Sequence, residues 1–176
     1  MNVVYIRPNW KSHSRGAFVM GARTNTWSVP CALGRGGIKS IKREGDGGTP
    51  IGSFKVMEAY YRPDRIMRPK TNLPLTPITK TMGWCDASND RNYNKKIHLP
   101  YHQSHETLMR KDHLYDLMVV LDYNISQRKR GAGSAIFFHL AHSDYRPTEG
   151  CVAVHKNVML RFLESANLNT RFIIKP

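Results

Sequence analysis

The sequence has few cysteines, few acidic residues and no long apolar run. Cys31, Cys85 and Cys151 stand alone among 176 residues. An odd number cannot all pair within one chain. No C-x-x-C pair and no zinc-finger spacing of His and Cys occurs, which excludes a disulfide-dense scaffold and a structural zinc site. Cys31 and Cys85 are expected either to pair in an oxidising compartment or to sit as small core thiols. No stretch reaches the ~18 apolar residues of a membrane-spanning helix, so no transmembrane segment is expected. The opening MNVVYIRPNWKSHSRG lacks a basic start, an apolar stretch and a small-residue cleavage site, so no signal peptide is expected there. Acidic residues number 13 against 27 Lys plus Arg, a formal net charge of +14. Such a surplus attracts polyanions: nucleic acid, an anionic membrane face or an anionic wall polymer. Helix-turn-helix, RNP-like and zinc motifs are all missing and the bases are scattered, so no nucleic-acid partner is expected. A basic binding module without catalysis is the reading from another class.

Short apolar runs separated by turn-rich stretches point to a mainly β domain spanning residues 1–176. Expected strands are Val3–Ile6, Ala17–Met20, Trp27–Leu33, Gly52–Tyr61, Leu117–Tyr123, Ser134–Ala141, Cys151–Val154 and Arg171–Lys175. One helix is expected, capped by Asn157, with Met159, Leu160, Leu163 and Ala166 on its apolar stripe. Gly34–Pro50, GRGGIKSIKREGDGGTP, reads as a glycine-rich loop that Glu44 and Asp46 could pin. Arg62–Arg110 carries prolines at 63, 69, 74, 77 and 100 and is expected to hold no regular core element.

The chemistry concentrates in Ser134–Val154, SAIFFHLAHSDYRPTEGCVAV. His139 ends an apolar strand, and Cys151 opens another after a polar loop. A thiol needs a base or a positive field to become a strong nucleophile. Gly150 would let a substrate carbonyl approach the backbone, and amides near Gly150 and Cys151 could hold an oxyanion. Thr148 could orient the histidine or bond a substrate amide. Taken singly, Cys151 and His139 also suit a core thiol and a structural histidine. His142, three residues on, is the rival base.

These residues resemble the signature of the YkuD, or L,D-transpeptidase, family: a histidine, a spacer, then Ser/Thr-x-Gly-Cys, here His139, Thr148, Gly150 and Cys151. The likeness extends to KREGDGGTPIG at 42–52, to Trp84, Asp86, Tyr93 and Asn94, to Tyr115 and Asp116, and to GSAIFFH at 133–139. The resemblance implies an L,D-transpeptidase-like β-sandwich with one or two short helices and a long irregular region. It implies a peptidoglycan enzyme that forms a thioester on Cys151, with His139 as base and no cofactor or metal. It further implies stem peptides as partners, the periplasm or cell envelope as location, and a peptide groove lined by Trp84, Asp86, Tyr93, Asn94, Tyr115 and Arg43. A carboxypeptidase or endopeptidase of the same fold is the alternative. Two departures stand out. Glu149 replaces a common histidine, and Ala153 replaces a common arginine. Arg43, Lys42 or Arg146 could supply a replacement cation, although each reads first as a solvated surface charge.

Overall fold

A computed structural model describes residues 3–22 and 25–176; Met1 and Asn2 of the opening segment lie outside them. The described chain forms β1 (Val3–Asn9), β2 (Ser12–Ala22), β3 (Asn25–Ala32), β4 (Ile38–Lys39), β5 (Thr49–Pro50), β6 (Gly52–Tyr61), β7 (Leu75–Pro77), β8 (Met82–Cys85), β9 (Lys96–His98), β10 (His105–Thr107), β11 (Leu117–Leu121), β12 (Phe137–Leu140), β13 (Val152–Val154), α1 (Lys156–Ser165) and β14 (Arg171–Ile174). Alternation drives the longer strands: Val4 and Ile6 on β1, and Phe54 and Val56 on β6, are buried, with Tyr5 and Lys55 outward.

The main sheet runs β11-β12-β13-β3-β2-β1-β14-β6-β7, and β11 pairs back onto β6. The strands therefore close into a barrel-like ring with β7 left outside. This differs from the expected sandwich: twisted strands paired at both edges leave no seam that would divide them into two sheets. The ring interior is packed with Phe18, Phe138, Phe162 and Phe172, whose ring centroids lie 5.0 to 6.2 Å apart. The helix α1 contributes Met159, Phe162 and Leu163 to this core. Its N-cap is His155, not Asn157, with Nδ1 accepting from the Asn157 amide at 3.4 Å; Asn157 itself lies in the first turn.

The Arg62–Arg110 stretch is not irregular throughout. It holds β7 and a separate sheet ordered β10-β8-β9. Strands of three or four residues separated by prolines and Asn/Asp turns are too short for their alternation to be read. Trp84, Ile78 and Leu108 from this stretch form a second core with Tyr115, Met118, Phe137 and Cys151 on the outer face of the ring. Cys31 and Cys85 are both buried free thiols and form no pair.

Phe138 has no exposed surface and touches all three other core phenylalanines. Phe138→Ala is expected to cost about 3–5 kcal/mol of stability, measured as a fall in the urea midpoint at unchanged slope.

Candidate active site

Strands β12 and β13 pair in parallel, with Phe138 opposite Val152 and His139 opposite Ala153. Successive side chains alternate between faces. Phe138, Leu140, Val152 and Val154 therefore point into the ring core. Phe137, His139, Cys151 and Ala153 share the other face. There Cys151, His139 and Ala153 line one cleft of about 340 Å³.

Both members of the candidate pair are uncharged in this state. Burial pushes the Cys151 thiol up to about 12, against the Phe137 amide, which donates to Sγ at 3.3 Å. Burial also holds His139 down to about 4 despite its bond to the Leu140 carbonyl. His139 Nδ1 lies 2.8 Å from that carbonyl oxygen, so in the neutral ring it carries the proton and Nε2 keeps the lone pair. The Cys151 thiol donates to the Ala135 carbonyl at 3.2 Å. Proton transfer to His139 requires the S–H to turn away from that carbonyl. His142 also lines the cleft, but from the loop after β12, with its ring against His113.

The turn before Cys151 is locked from within. Thr148 Oγ1 donates to the Cys151 carbonyl at 2.6 Å and accepts from the Gly150 amide at 3.2 Å. Thr148 thus shapes the turn and does not reach for the histidine. Gly150 has φ of 131°, and a Cβ there would come within 2.7 Å of the Gly48 carbonyl oxygen. Its lack of a side chain accommodates the glycine-rich loop, not a substrate carbonyl. Glu149 is exposed and pairs with Arg35 at 2.8 Å. In the loop, Asp46 accepts from the Arg43 and Gly48 amides, each at 2.7 Å, and from Lys42 Nζ at 2.8 Å. Partial burial opposes the Asp46 charge, but these donors together hold its carboxyl below the usual range. Glu44 instead reaches out of the loop, accepting from the Tyr93 and Ser134 hydroxyls.

Of the expected groove residues, Asp86 and Tyr115 line the cleft and Trp84, Tyr93, Asn94 and Arg43 do not. Trp84 is buried edge-on against Phe137, and its Nε1 donates to Asn94 Oδ1 at 2.9 Å. Asn94, at φ 56°, also accepts from the Ala135 amide at 3.0 Å and so holds the segment that meets the thiol. Tyr93 accepts from the Gly133 amide at 3.0 Å. Arg43 is exposed. Lys42 is committed to Asp46, and Arg146 stands exposed at the rim.

Two cleft residues escaped the sequence reading. Glu106 and Arg110 come from the stretch expected to be irregular. Arg110 lies 5.0 Å above the Tyr115 ring, which in turn meets the His139 ring edge-on at 5.3 Å. Asp112 holds the guanidinium through Nε at 2.9 Å and Nη2 at 2.7 Å. The backbone carrying it is clamped from the turn after β6. Arg62 donates to the Arg110 carbonyl at 2.6 Å, and Arg65 donates to the Lys111 and Asp112 carbonyls at 3.0 and 2.7 Å. Asp116, beside Tyr115, takes the same Arg65 at 3.0 Å. The signal available in sequence was the charge pairing of E-x-x-x-R-x-D at 106–112.

Residues 6–174 match the L,D-transpeptidase catalytic domain, YkuD. The chain belongs to the L,D-transpeptidase family. Among solved structures it is similar to Bd1075 of Bdellovibrio bacteriovorus, at 14% identity and a TM-score of 0.49, covering 99% of this chain and 47% of that one. It is also similar to L,D-transpeptidase 1 of Mycobacterium tuberculosis, at 12% identity and a TM-score of 0.42, covering 98% of this chain and 62% of that one. No curated protein gives a significant match. Among the described residues no helix is long and apolar enough to cross a membrane. In this member of the family, residue 153 shares the face of Cys151 and lines the cleft, so an arginine at that position would enter it. Arg110 enters it from the opposite wall.

Alkylation needs the thiolate. With the thiol at about 12, modification of Cys151 by iodoacetamide is expected to rise about tenfold per pH unit from pH 7 to 10. A step near the histidine range, read by peptide mass mapping, would instead mean a resting thiolate–imidazolium pair. Gly150→Ala is expected to displace the loop at Gly48 and raise proteolytic nicking within residues 34–50.

Proposed function

We propose that the chain is a cysteine acyltransferase that cross-links peptidoglycan stem peptides through a thioester on Cys151. The observation supporting this is the presence of a thiol and a histidine with a free Nε2 on one face of adjacent strands, in one open cleft. Nε2 of His139 takes the thiol proton as the donor peptide enters and the sulfur attacks its carbonyl carbon. Among the described residues nothing accepts from the Cys151 amide, which is free to donate to the oxyanion, whereas the Gly150 amide is held by Thr148. The tetrahedral intermediate breaks its C–N bond, the leaving amine takes the proton from His139, and the thioester remains. An amine of a second stem then forms the new amide and releases the thiol. Every step uses side chains and main chain of this protein. Work on wall stems places the protein in the cell envelope.

Incubation with stem peptides is expected to give cross-linked dimers by mass spectrometry. Cys151→Ser should give none, and His139→Gln should slow the reaction by about 10²–10⁴. Shortened monomers without dimers would make the enzyme a peptidase. A carbapenem is expected to add one covalent mass to the wild type and none to Cys151→Ser.

A further inference from the structure

The cleft has two walls of different chemistry. The ring wall carries Cys151 and His139. The facing wall is the small sheet, which packs on the ring through Trp84 against Phe137. In that sheet Glu106 lies opposite Trp84 in the β10–β8 ladder, and Asp86 follows directly after β8. Both carboxylates line the cleft, as do Glu44 and Glu149. In a chain of net charge +14, acidic groups are gathered where the chemistry is read to occur. We infer that Glu106 and Asp86 form the acceptor subsite: they bind the ammonium group of the second stem, and Glu106 removes its proton before the nitrogen attacks the Cys151 thioester. This deepens the acyl-transfer reading and rests on it.

The side chains are arranged for that task. Glu106 is fixed through one oxygen only. Oε2 accepts from the Tyr115 hydroxyl at 3.0 Å and stands 3.7 Å from Arg110 Nη1. Arg110 makes its short contacts to Asp112 instead. Among the described residues nothing hydrogen-bonds Glu106 Oε1. Asp86 Oδ1 is buried with no hydrogen-bond partner. An acceptor oxygen left in this state is costly unless a donor arrives, and an ammonium brings three. Glu106 lines the same cleft as Cys151, so an amine bound here shares that cleft with the acyl group.

The basicity suits proton removal. Burial raises the Glu106 carboxyl above its ordinary value. The Tyr115 hydroxyl and Arg110 pull it down, and Asp86 and Glu149 push it further up. A carboxylate raised toward working pH is a better base for an ammonium. The balance is as follows. Glu106 takes one proton from R–NH₃⁺. The amine nitrogen forms a bond to the thioester carbon. His139 Nε2 takes a second proton from nitrogen and passes it to sulfur as the C–S bond breaks. The third proton stays on the amide, and Glu106 returns its proton to solvent.

The test separates the two half-reactions, using a donor stem peptide and an acceptor stem bearing a side-chain primary amine. Glu106→Gln is expected to form the acyl-enzyme within about threefold of the wild-type rate. Its cross-linked to hydrolysed product ratio should fall tenfold or more, with partial recovery in Glu106→Asp. Asp86→Asn should raise the acceptor KM with little change in donor acylation. In the wild type, aminolysis should rise with pH through the Glu106 titration, and that step should vanish in Glu106→Gln. An unchanged product ratio in both variants would overturn the subsite. So would loss of acylation together with aminolysis in both. A wild type that forms no acyl-enzyme overturns the acyl-transfer reading beneath it.

Discussion

The parallel pairing of two short strands governs the molecule. With Phe138 opposite Val152, His139 and Cys151 fall on one face while their neighbours fill the ring core. A slip of one residue in β12 would bury the imidazole among phenylalanines and turn Phe138 to the cleft. The aromatic packing of Phe18, Phe138, Phe162 and Phe172 makes that slip unfavourable. The same apolar contacts that stabilise the fold thus fix which way the polar pair points. Burial also keeps that pair neutral.

Around this rigid centre, polar side chains bonded to main chain shape the cleft. Asp46 folds the glycine-rich loop on itself, Glu44 ties it to Tyr93 and Ser134, and Asn94 holds Ala135. Arg62 and Arg65 use guanidinium forks to grip carbonyls of the Arg110–Asp112 backbone, a contact a lysine would not reproduce. Part of the basic surplus therefore acts within the fold and is not available to a partner. The cleft itself presents the carboxylates of Glu44, Asp86, Glu106 and Glu149 beside Arg110 and Arg146.

The long strands of the ring were legible because they alternate, and β12 and β13 because they are unbroken apolar runs: Gly52–Tyr61 carries the same bounds in sequence and structure. His139 and Cys151 were read from two strand ends with a polar spacer, and both line one cleft. The small sheet was not legible, since its short strands lie among prolines and polar turns and two of them, KIH and HET, carry few apolar residues. With it went Glu106 and Arg110, whose approach to the cleft depends on pairing with β8 and on grips from Arg62 and Arg65. Trp84, Tyr93 and Asn94 were expected in the groove from the family resemblance. Their hydrogen bonds show instead that they brace the strand and loop behind the cleft. Gly150 was read as room for a ligand, whereas Gly48 of the protein's own chain fills it.

The grip of Arg62 and Arg65 on the facing wall has a consequence for how the molecule comes apart. The ring is held by interlocked rings and aliphatic groups, but the Arg110–Asp112 segment hangs from guanidinium–carbonyl hydrogen bonds, those of Arg65 partly exposed and that of Arg62 buried. Such a segment can open as a unit of its own at a free energy below that of global unfolding. Amides there would exchange hydrogen for deuterium while the barrel stays protected.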